Sequence, residues 1–267
     1  MNAEIEYAAL QSLPKVRSYD EIVTRIRALE KDGIWKAYEL GIVAGYPIYW
    51  LKNVRKWPGR HVIHLTAGVH GDEPAGVLGL LDFLESLTPG EMQAFSFTVY
   101  PCINAWGYER NQRLNSEGLD INRCFTPRSN CSETRLMKFL WNRRRYDLAV
   151  SCHEDFDSSG AYLYELKAKA PFWGPEILKT FADHVPIDQR PEIEGRRAQQ
   201  GWIQRHMNDF PARLHPESIF LYLNHTRHSI TFETPSLHPL ASRVSAQVGG
   251  LRRCLELFKT PGGPASL

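Results

Sequence analysis

The sequence predicts an α/β protein of one domain, in which helices cover both faces of a central sheet. Apolar segments typical of strands alternate along the chain with segments of helical periodicity, which is the pattern of a sheet layered between helices. The strand segments are apolar enough to be buried on both faces. With 43% hydrophobic and 23% charged residues, the 267-residue chain has ample apolar surface for one core. We therefore take residues 1–267 as a single domain.

The first predicted elements are a helix, two strands and a second helix. SYDEIVTRIRALEKDG places three aliphatic side chains on one helical face, with Ser18 or Asp20 as the cap and Gly33 as the end. YPIYWLKN and HVIHLTAGV are predicted as strands, and PAGVLGLLDFLESL as a helix with Pro74 in its first turn. Further strands are predicted for FSFTVYPCIN, YDLAVSCHE and HSITFETP, and further helices for SETRLMKFLWNRR, PEILKTFADHV and LASRVSAQVGGLRRCLELF.

Two long segments, residues 105–130 and 185–225, show neither period and are predicted as loops. They are rich in Gly, Asn, Arg and Pro, with isolated aromatic residues. Loops of this length inside a compact domain usually carry function. No internal repeat or linker interrupts the chain, and only TPGGPASL is predicted to be a loose tail.

The composition disfavours several kinds of partner. Its 32 basic and 30 acidic side chains are spread along the chain, without the basic stripe that nucleic-acid binding requires. The start of the chain lacks the apolar core of a signal peptide, and no run is long enough to cross a bilayer. The five cysteines form no C-x-x-C pair, as expected for reduced thiols. We therefore expect a cytoplasmic protein with a small substrate and neither a nucleic-acid nor a membrane partner.

A histidine and a carboxylate stand in the turn TAGVHGDEPAG, at the end of an apolar strand. His70 and Glu73 lie there, and His153 of CHED directly follows another apolar strand. Ligands of open α/β sheets collect at the carboxyl ends of strands. Two histidines and a glutamate are the set of a catalytic zinc that keeps an open position. A single H-x-x-E occurs often by chance, so the prediction of a metal depends on all three residues.

A further acid, Glu233, stands in the apolar strand SITFETP. An acid in such a strand destabilises the fold unless it has a partner or a chemical role. A general base beside a metal-activated water would be such a role.

Taken together, these motifs resemble the zinc carboxypeptidase family of the carboxypeptidase A type. GIVAGYPIYWLK, HGDE, RLNSEGLDINRCF, CHED and SITFE occur in the family's order over most of the chain. The resemblance implies a mixed, mostly parallel sheet of about eight strands, with residues 1–267 as its catalytic domain. It also implies one zinc per chain, held by His70, Glu73 and His153, with Glu233 as the general base.

The same resemblance assigns the substrate-binding residues. Asn122 and Arg123 of GLDINR would hold a substrate carboxylate, for which the planar guanidinium of Arg123 is well suited. Arg113 would polarise the scissile carbonyl, with Arg110 as a competing choice. GLDINR on its own would also suit a polar turn.

Some residues depart from the pattern of carboxypeptidase A itself. Asp72 stands where carboxypeptidase A has an arginine between its first two metal ligands. The HGDE form resembles more closely the murein-peptide amidase and aspartoacylase/succinylglutamate desuccinylase branches of the family. Asp72 and Asp155 are either surface acids or partners of a ligand histidine. Tyr222 is too near Glu233 to be assigned the role of the family's loop tyrosine.

Side-chain specificity is expected from NHTRH, which offers three candidate residues. These are His225, Arg227 and His228.

The resulting prediction is a zinc metallopeptidase, a hydrolase that cleaves an amide bond next to a free carboxylate. Its substrate would be a small peptide. The alternative is an N-acyl amino acid deacylase of the aspartoacylase/succinylglutamate desuccinylase type, acting on one acylated amino acid. A non-enzyme alternative is a zinc-stabilised binding module, but structural zinc normally has four ligands dominated by cysteine, and no cysteine cluster is present.

Overall fold

A computed structural model describes residues 13–54, 61–126, 128–206 and 216–259. The strands of this part of the chain are β1 (Trp35–Val43), β2 (Tyr46–Asn53), β3 (His61–Ala67), β4 (Phe95–Tyr100), β5 (Leu148–Asp155), β6 (Tyr162–Lys167), β7 (Glu192–Ile193), β8 (Arg196–Arg197), β9 (Trp202–Arg205) and β10 (His228–Pro235). The helices are α1 (Tyr19–Leu29), α2 (Pro74–Glu85), α3 (Pro89–Ala94), α4 (Ala105–Arg110), α5 (Ser132–Trp141), α6 (Gly174–Ala182), α7 (Glu217–Asn224) and α8 (Leu240–Phe258). Two single 3₁₀ turns are Glu30–Asp32 and Ile121–Arg123.

The sheet is mixed and eight-stranded, with the order β1-β2-β4-β3-β5-β10-β6-β9. Its centre is parallel, because β3 pairs in parallel with β4 and β5, and β5 with β10. β6 and β9 form a further parallel pair, whereas β1–β2, β2–β4 and β6–β10 are antiparallel. This architecture confirms the predicted fold class. The four central parallel strands place their carboxyl ends at one edge of the sheet.

Helices cover both faces of the sheet, and the alternation of side chains along each strand decides which residues meet them. On β5, Leu148, Val150 and Cys152 join the core beneath α1, α2, α6 and α8. Ala149, between them, faces the second core, which contains residues of α5 and α7. The central strands are thus buried on both sides, as their apolar sequences predicted.

The predicted elements are confirmed, and their ends follow the expected local chemistry. Ser18 caps α1 by accepting a hydrogen bond from the Glu21 amide, and the chain turns at Gly33 with φ of 65°. Pro74 occupies the first turn of α2. Among the described residues, no helix is both long and apolar enough to cross a bilayer.

The two segments predicted as loops contain regular structure as well. α4 and the turn Ile121–Arg123 lie in residues 105–130. β7, β8, β9 and α7 lie wholly or largely in residues 185–225, of which 207–215 are outside the described part. These elements are two to eight residues long, too short for a period to be recognised from sequence. β1, α3 and β6 were not predicted either.

The adjacent glycines of α8 provide a test of packing on the sheet. A Cβ at position 250 would collide with the Phe181 ring and lie 2.9 Å from Phe232, whereas a Cβ at position 249 would meet nothing nearer than Thr180 at 3.5 Å. Gly250→Ala should therefore destabilise the protein by about 1–3 kcal/mol through overpacking. Gly249→Ala should stabilise it by about 0.5–1 kcal/mol through helix propensity. Denaturant unfolding measures both, and equal effects would contradict the described packing of α8.

Candidate metal centre

The structure brings together the three residues predicted to bind a metal. His70 and Glu73 lie in the turn between β3 and α2, and His153 lies near the end of β5. Since Ala67 of β3 pairs with Cys152 of parallel β5, both strands deliver these side chains to the same edge of the sheet. The three side chains are buried, with exposures of 2%, 4% and 2%. Their ligand atoms all lie within 4.8 Å of one another.

Glycines allow the turn that carries His70 to pack closely. Gly68 has φ of +64°, a conformation that side chains rarely adopt. At Gly71 a Cβ would collide with the backbone of Gly107 in α4, so the turn can lie against this helix only with glycine there. The Asn104 amide also donates to the carbonyl of Gly68. The glycines of HGDE therefore fix where the histidine and the glutamate lie.

Glu73 bridges the two imidazoles. Its Oε1 lies 2.6 Å from Nδ1 of His70, and its Oε2 lies 2.8 Å from Nδ1 of His153. Burial alone would raise the pKa of Glu73, but the two histidines hold this pKa below its usual range. Burial would lower the pKa of His70, but Glu73 and Asp120 raise it to about 9. The protein therefore concentrates negative charge where two ring nitrogens converge.

Such a donor set fits a divalent metal. Zinc binds imidazole nitrogen and carboxylate oxygen, and a cation would replace the protons that this cluster otherwise shares. The other nitrogen of His70, Nε2, lies 3.1 Å from Oδ1 of Asp120. A carboxylate that accepts the second N–H of a ligand histidine leaves the first nitrogen free for the metal. His70, Glu73 and His153 could thus hold the ion, with Asp120 orienting His70.

Sequence reasoning did not single out Asp120. Asp120 belongs to GLDINR, where an aspartate is also a common turn residue. It does accept a hydrogen bond there, from the backbone N–H of Asn122 at 2.9 Å. Asp72 and Asp155, the two acids considered from the sequence as partners of a ligand histidine, make different contacts. Asp155 accepts hydrogen bonds from the Tyr162 hydroxyl and the Asp157 amide, and Oδ1 of Asp72 has no partner among the described residues.

A cavity of about 480 Å³ opens beside the triad. Of the other predicted site residues, Arg113, Asn122, Arg123 and Glu233 all line it. Arg113 extends across the triad, 3.4 Å from Oε1 of Glu73 and 3.4 Å from Oδ2 of Asp120. Arg110, the competing choice, instead donates to the Tyr46 hydroxyl and lies over the Trp106 ring.

Glu233 and Arg123 both line the cavity. Glu233 of β10 is opposite His153 in the strand pairing, and burial raises its pKa well above the usual value. Arg123 is exposed, and the one hydrogen bond described for its side chain reaches the carbonyl of its neighbour Asn122. An acid suited to accept a proton and a guanidinium accessible to a carboxylate thus line the same space.

The lining of the cavity differs from the prediction based on NHTRH, since none of its three candidate residues is among the described lining residues. His228 is turned to the opposite side of the sheet, where its Nε2 lies 2.8 Å from Glu165. His225 packs against Trp141 and Phe220. The described residues that line the cavity instead include Tyr162, Tyr164, Leu166, Glu194, Arg196, Arg205, Ile219 and Thr231. Most of these residues lie on β6, β9 and the β7–β8 ribbon, which were not recognised as regular elements from the sequence.

Parts of the sequence are similar to known proteins. The profile of the succinylglutamate desuccinylase/aspartoacylase catalytic domain matches residues 58–166. Murein peptide amidase A of Escherichia coli is 36% identical over 78 residues, which are 29% of this chain. The chain spans about 30% of the length of the curated relatives it matches.

Solved structures share the fold. A candidate metallopeptidase from Shewanella amazonensis superposes with a TM-score of 0.79 at 23% identity, covering 88% of this chain and 91% of that chain. A metallo-carboxypeptidase from Burkholderia cenocepacia gives 0.68 at 16% identity, covering 90% and 69%. Carboxypeptidase A from Helicoverpa armigera gives 0.65 at 15% identity, covering 91% and 75%. These matches show that the chain has the fold of the metallopeptidases and metallocarboxypeptidases named above.

Replacing His153 by alanine is expected to abolish stoichiometric binding of a divalent metal, because it removes one of three converging donors. Elemental analysis after reconstitution and removal of free metal measures this. His184→Ala, which changes an exposed histidine after α6, should bind as the wild type does. Wild-type protein that takes up no metal, or a His153→Ala variant that binds equally well, would contradict the site.

Proposed function

We propose that this protein is a zinc-dependent, metallocarboxypeptidase-like hydrolase that cleaves an amide bond next to a free carboxylate. The observation that carries the proposal is the cavity beside the buried His–Glu–His cluster, which a half-buried acid, Glu233, and an exposed arginine, Arg123, also line. A hydrolytic site needs an electrophile, a proton acceptor and a group that positions the substrate. Each of these roles has a candidate among the residues described above.

His70, Glu73 and His153 would hold the zinc. Bound there, zinc would supply a Lewis acid for activating water and polarising a carbonyl. Asp120 keeps Nδ1 of His70 directed at the centre by accepting the hydrogen bond from Nε2. Arg113 can donate to the substrate's carbonyl oxygen, since its guanidinium already lies beside the same carboxylates.

Glu233 would move the proton. Its carboxylate accepts a proton from the attacking water and delivers it to the leaving nitrogen, so that one group serves both steps. A raised pKa suits this exchange, because proton transfer is efficient when the acid and the base are closely matched.

Asn122 and Arg123 would bind the free carboxylate of the leaving part. Arg123 offers a planar pair of donors, which a carboxylate can engage with both oxygens. The side-chain oxygen of Asn122 accepts a hydrogen bond from the backbone N–H of Glu217 at 2.9 Å. The side-chain nitrogen of Asn122 is therefore left as the donor for a ligand. The scissile bond would then lie between this anchor and the metal.

The similarity to a murein peptide amidase favours a small peptide as the substrate. The match to the succinylglutamate desuccinylase/aspartoacylase catalytic domain favours a second candidate, a deacylase of N-acyl amino acids. Both substrates place a free carboxylate next to the amide. Comparing hydrolysis of an N-acetylated or N-succinylated amino acid with that of peptides carrying the same C-terminal residue separates the two.

Glu233→Gln is expected to keep the metal and the fold but to lose nearly all turnover, because an amide of the same shape cannot take a proton. Steady-state hydrolysis and metal content measure the two effects. Glu256→Gln, which changes an exposed acid of α8, serves as the control and should be as active as the wild type. Substantial activity in Glu233→Gln would mean that another group is the base.

Arg123→Ala is expected to reduce kcat/KM by about 10²–10³-fold, or roughly 3–4 kcal/mol, through loss of a charge-assisted pair. Lysine should rescue only part of this, because a point charge cannot reproduce the planar fork. Arg128→Ala, at an exposed arginine outside the cavity, should have no effect.

Amidating the substrate's carboxylate should slow the wild type about as much as Arg123→Ala does, and should slow that variant little further. If the wild type hydrolyses free and amidated substrates equally well, it recognises something other than a carboxylate.

A further inference from the structure

Glu217, the first residue of α7, is a buried acid that none of the roles above uses. Its exposure is 0%, and it lies between the sheet and the helices of the second face. A carboxyl group so placed destabilises a fold unless its contacts compensate for the lost hydration. Those contacts connect two parts of the candidate site.

The side chain of Glu217 binds both strands that carry the proposed metal ligands. Its Oε2 accepts hydrogen bonds from the hydroxyl of Thr66 at 2.9 Å and from that of Ser151 at 3.1 Å. Thr66 of β3 and Ser151 of β5 are paired in the parallel register. Ser151 also shares a face of β5 with His153, because side chains two residues apart point the same way.

The backbone of the same residue holds the proposed carboxylate anchor. The Glu217 N–H donates to the side-chain oxygen of Asn122 at 2.9 Å, which fixes the orientation of that amide. Ser218 and Ile219, the next residues of α7, line the cavity. The start of α7 is therefore a wall of the site, and Glu217 attaches this wall to β3 and β5.

Stability alone does not account for this arrangement. Oε1 of Glu217 has no hydrogen-bond partner among the described residues. Nε2 of His64 lies 3.9 Å from this oxygen, which is too far for a hydrogen bond. Both ring nitrogens of His64 also lack a partner within that part of the chain. Buried polar groups without partners destabilise a fold, and such departures concentrate at functional sites.

We propose that Glu217 is a positioning residue that sets the separation between the metal ligands and the Asn122–Arg123 anchor. The inference rests on the proposed function, since that separation determines which substrate carboxylate lies close enough to the scissile amide. Glu217 itself does not touch the substrate. It acts through Asn122 and through the first turn of α7.

Glu217→Ala should raise KM about tenfold or more and reduce the preference for free over amidated substrate by a similar factor, while kcat changes by less than about threefold. Metal content should stay at the wild-type level, because the three ligands are unchanged. Glu217→Gln keeps one oxygen acceptor and should recover most of the loss. Ser151→Ala removes a single donor and should shift KM in the same direction by less.

Glu165→Gln is the matched control. Glu165 also has 0% exposure, but it accepts the Trp173 and Gly174 amides on the other side of the sheet. Glu165→Gln should lower the unfolding temperature without altering KM or the preference for a free carboxylate. If the Glu217 variants behave in this way too, the positioning role is wrong. If Glu217→Ala does not fold, Ser151→Ala and Glu217→Gln decide the question by the same measurements.

Crystal structures of the zinc-loaded wild type and of Glu217→Ala or Ser151→Ala separate this inference from the proposed function. The variant should show the Asn122 amide and the first turn of α7 displaced relative to His153. An unchanged position of Asn122 would overturn the inference, whatever the activity. A wild type inactive on all the substrates above would contradict the proposed function, and the displacement would still test Glu217.

Discussion

The parallel register of β3 against β5 is the constraint from which the candidate site follows. Ala67 pairs with Cys152, so the turn after β3 and the end of β5 meet at one edge of the sheet. Glu73 then lies between an imidazole from each side, His70 and His153. A shift of one residue in β5 would turn His153 to the opposite face and separate the cluster. The arrangement of the cavity, the proposed anchor and the contacts of Glu217 all depend on this register.

The helices that cover the first face hold this register in place. A Cβ at Gly76 of α2 would lie 2.7 Å from the carbonyl of Cys152, so the helix packs directly on β5. Gln247 of α8 donates to the carbonyl of His153 at 2.9 Å, and Glu154 is paired with Arg243 of the same helix. The ligands thus belong to well-supported elements, which is how a site keeps a fixed geometry.

The sequence was informative where the chemistry was local. HGDE and CHED directly follow apolar strands, so the placement of His70, Glu73 and His153 at one sheet edge could be predicted. Asp120 could not, because its partner His70 is 50 residues away and an aspartate in GLDINR also suits a turn. The same holds for Glu217, whose partners come from β3, β5 and the 3₁₀ turn Ile121–Arg123.

The fold was predictable in its centre and less so at its margins. Strands buried on both faces give long apolar runs, whereas β6 contains Glu165 and Lys167 and does not resemble a core strand. Glu165 is tolerated there because His228, Trp173 and Gly174 bind its carboxyl group, a set of contacts made only in the folded chain. His228, assigned from sequence to substrate specificity, is engaged in that contact instead.

The distance along the chain between the proposed ligands has a consequence for folding. Glu73 and His153 are 80 residues apart in sequence, and they meet only after β3 and β5 have paired. The unfolded chain retains the local pair His70 and Glu73, which alone forms an incomplete and weak chelate. A metal held by all three residues therefore binds the native state far more strongly than the unfolded one and stabilises it by mass action. Metal supply would then influence how much of the protein survives in the cell, as well as how fast it works.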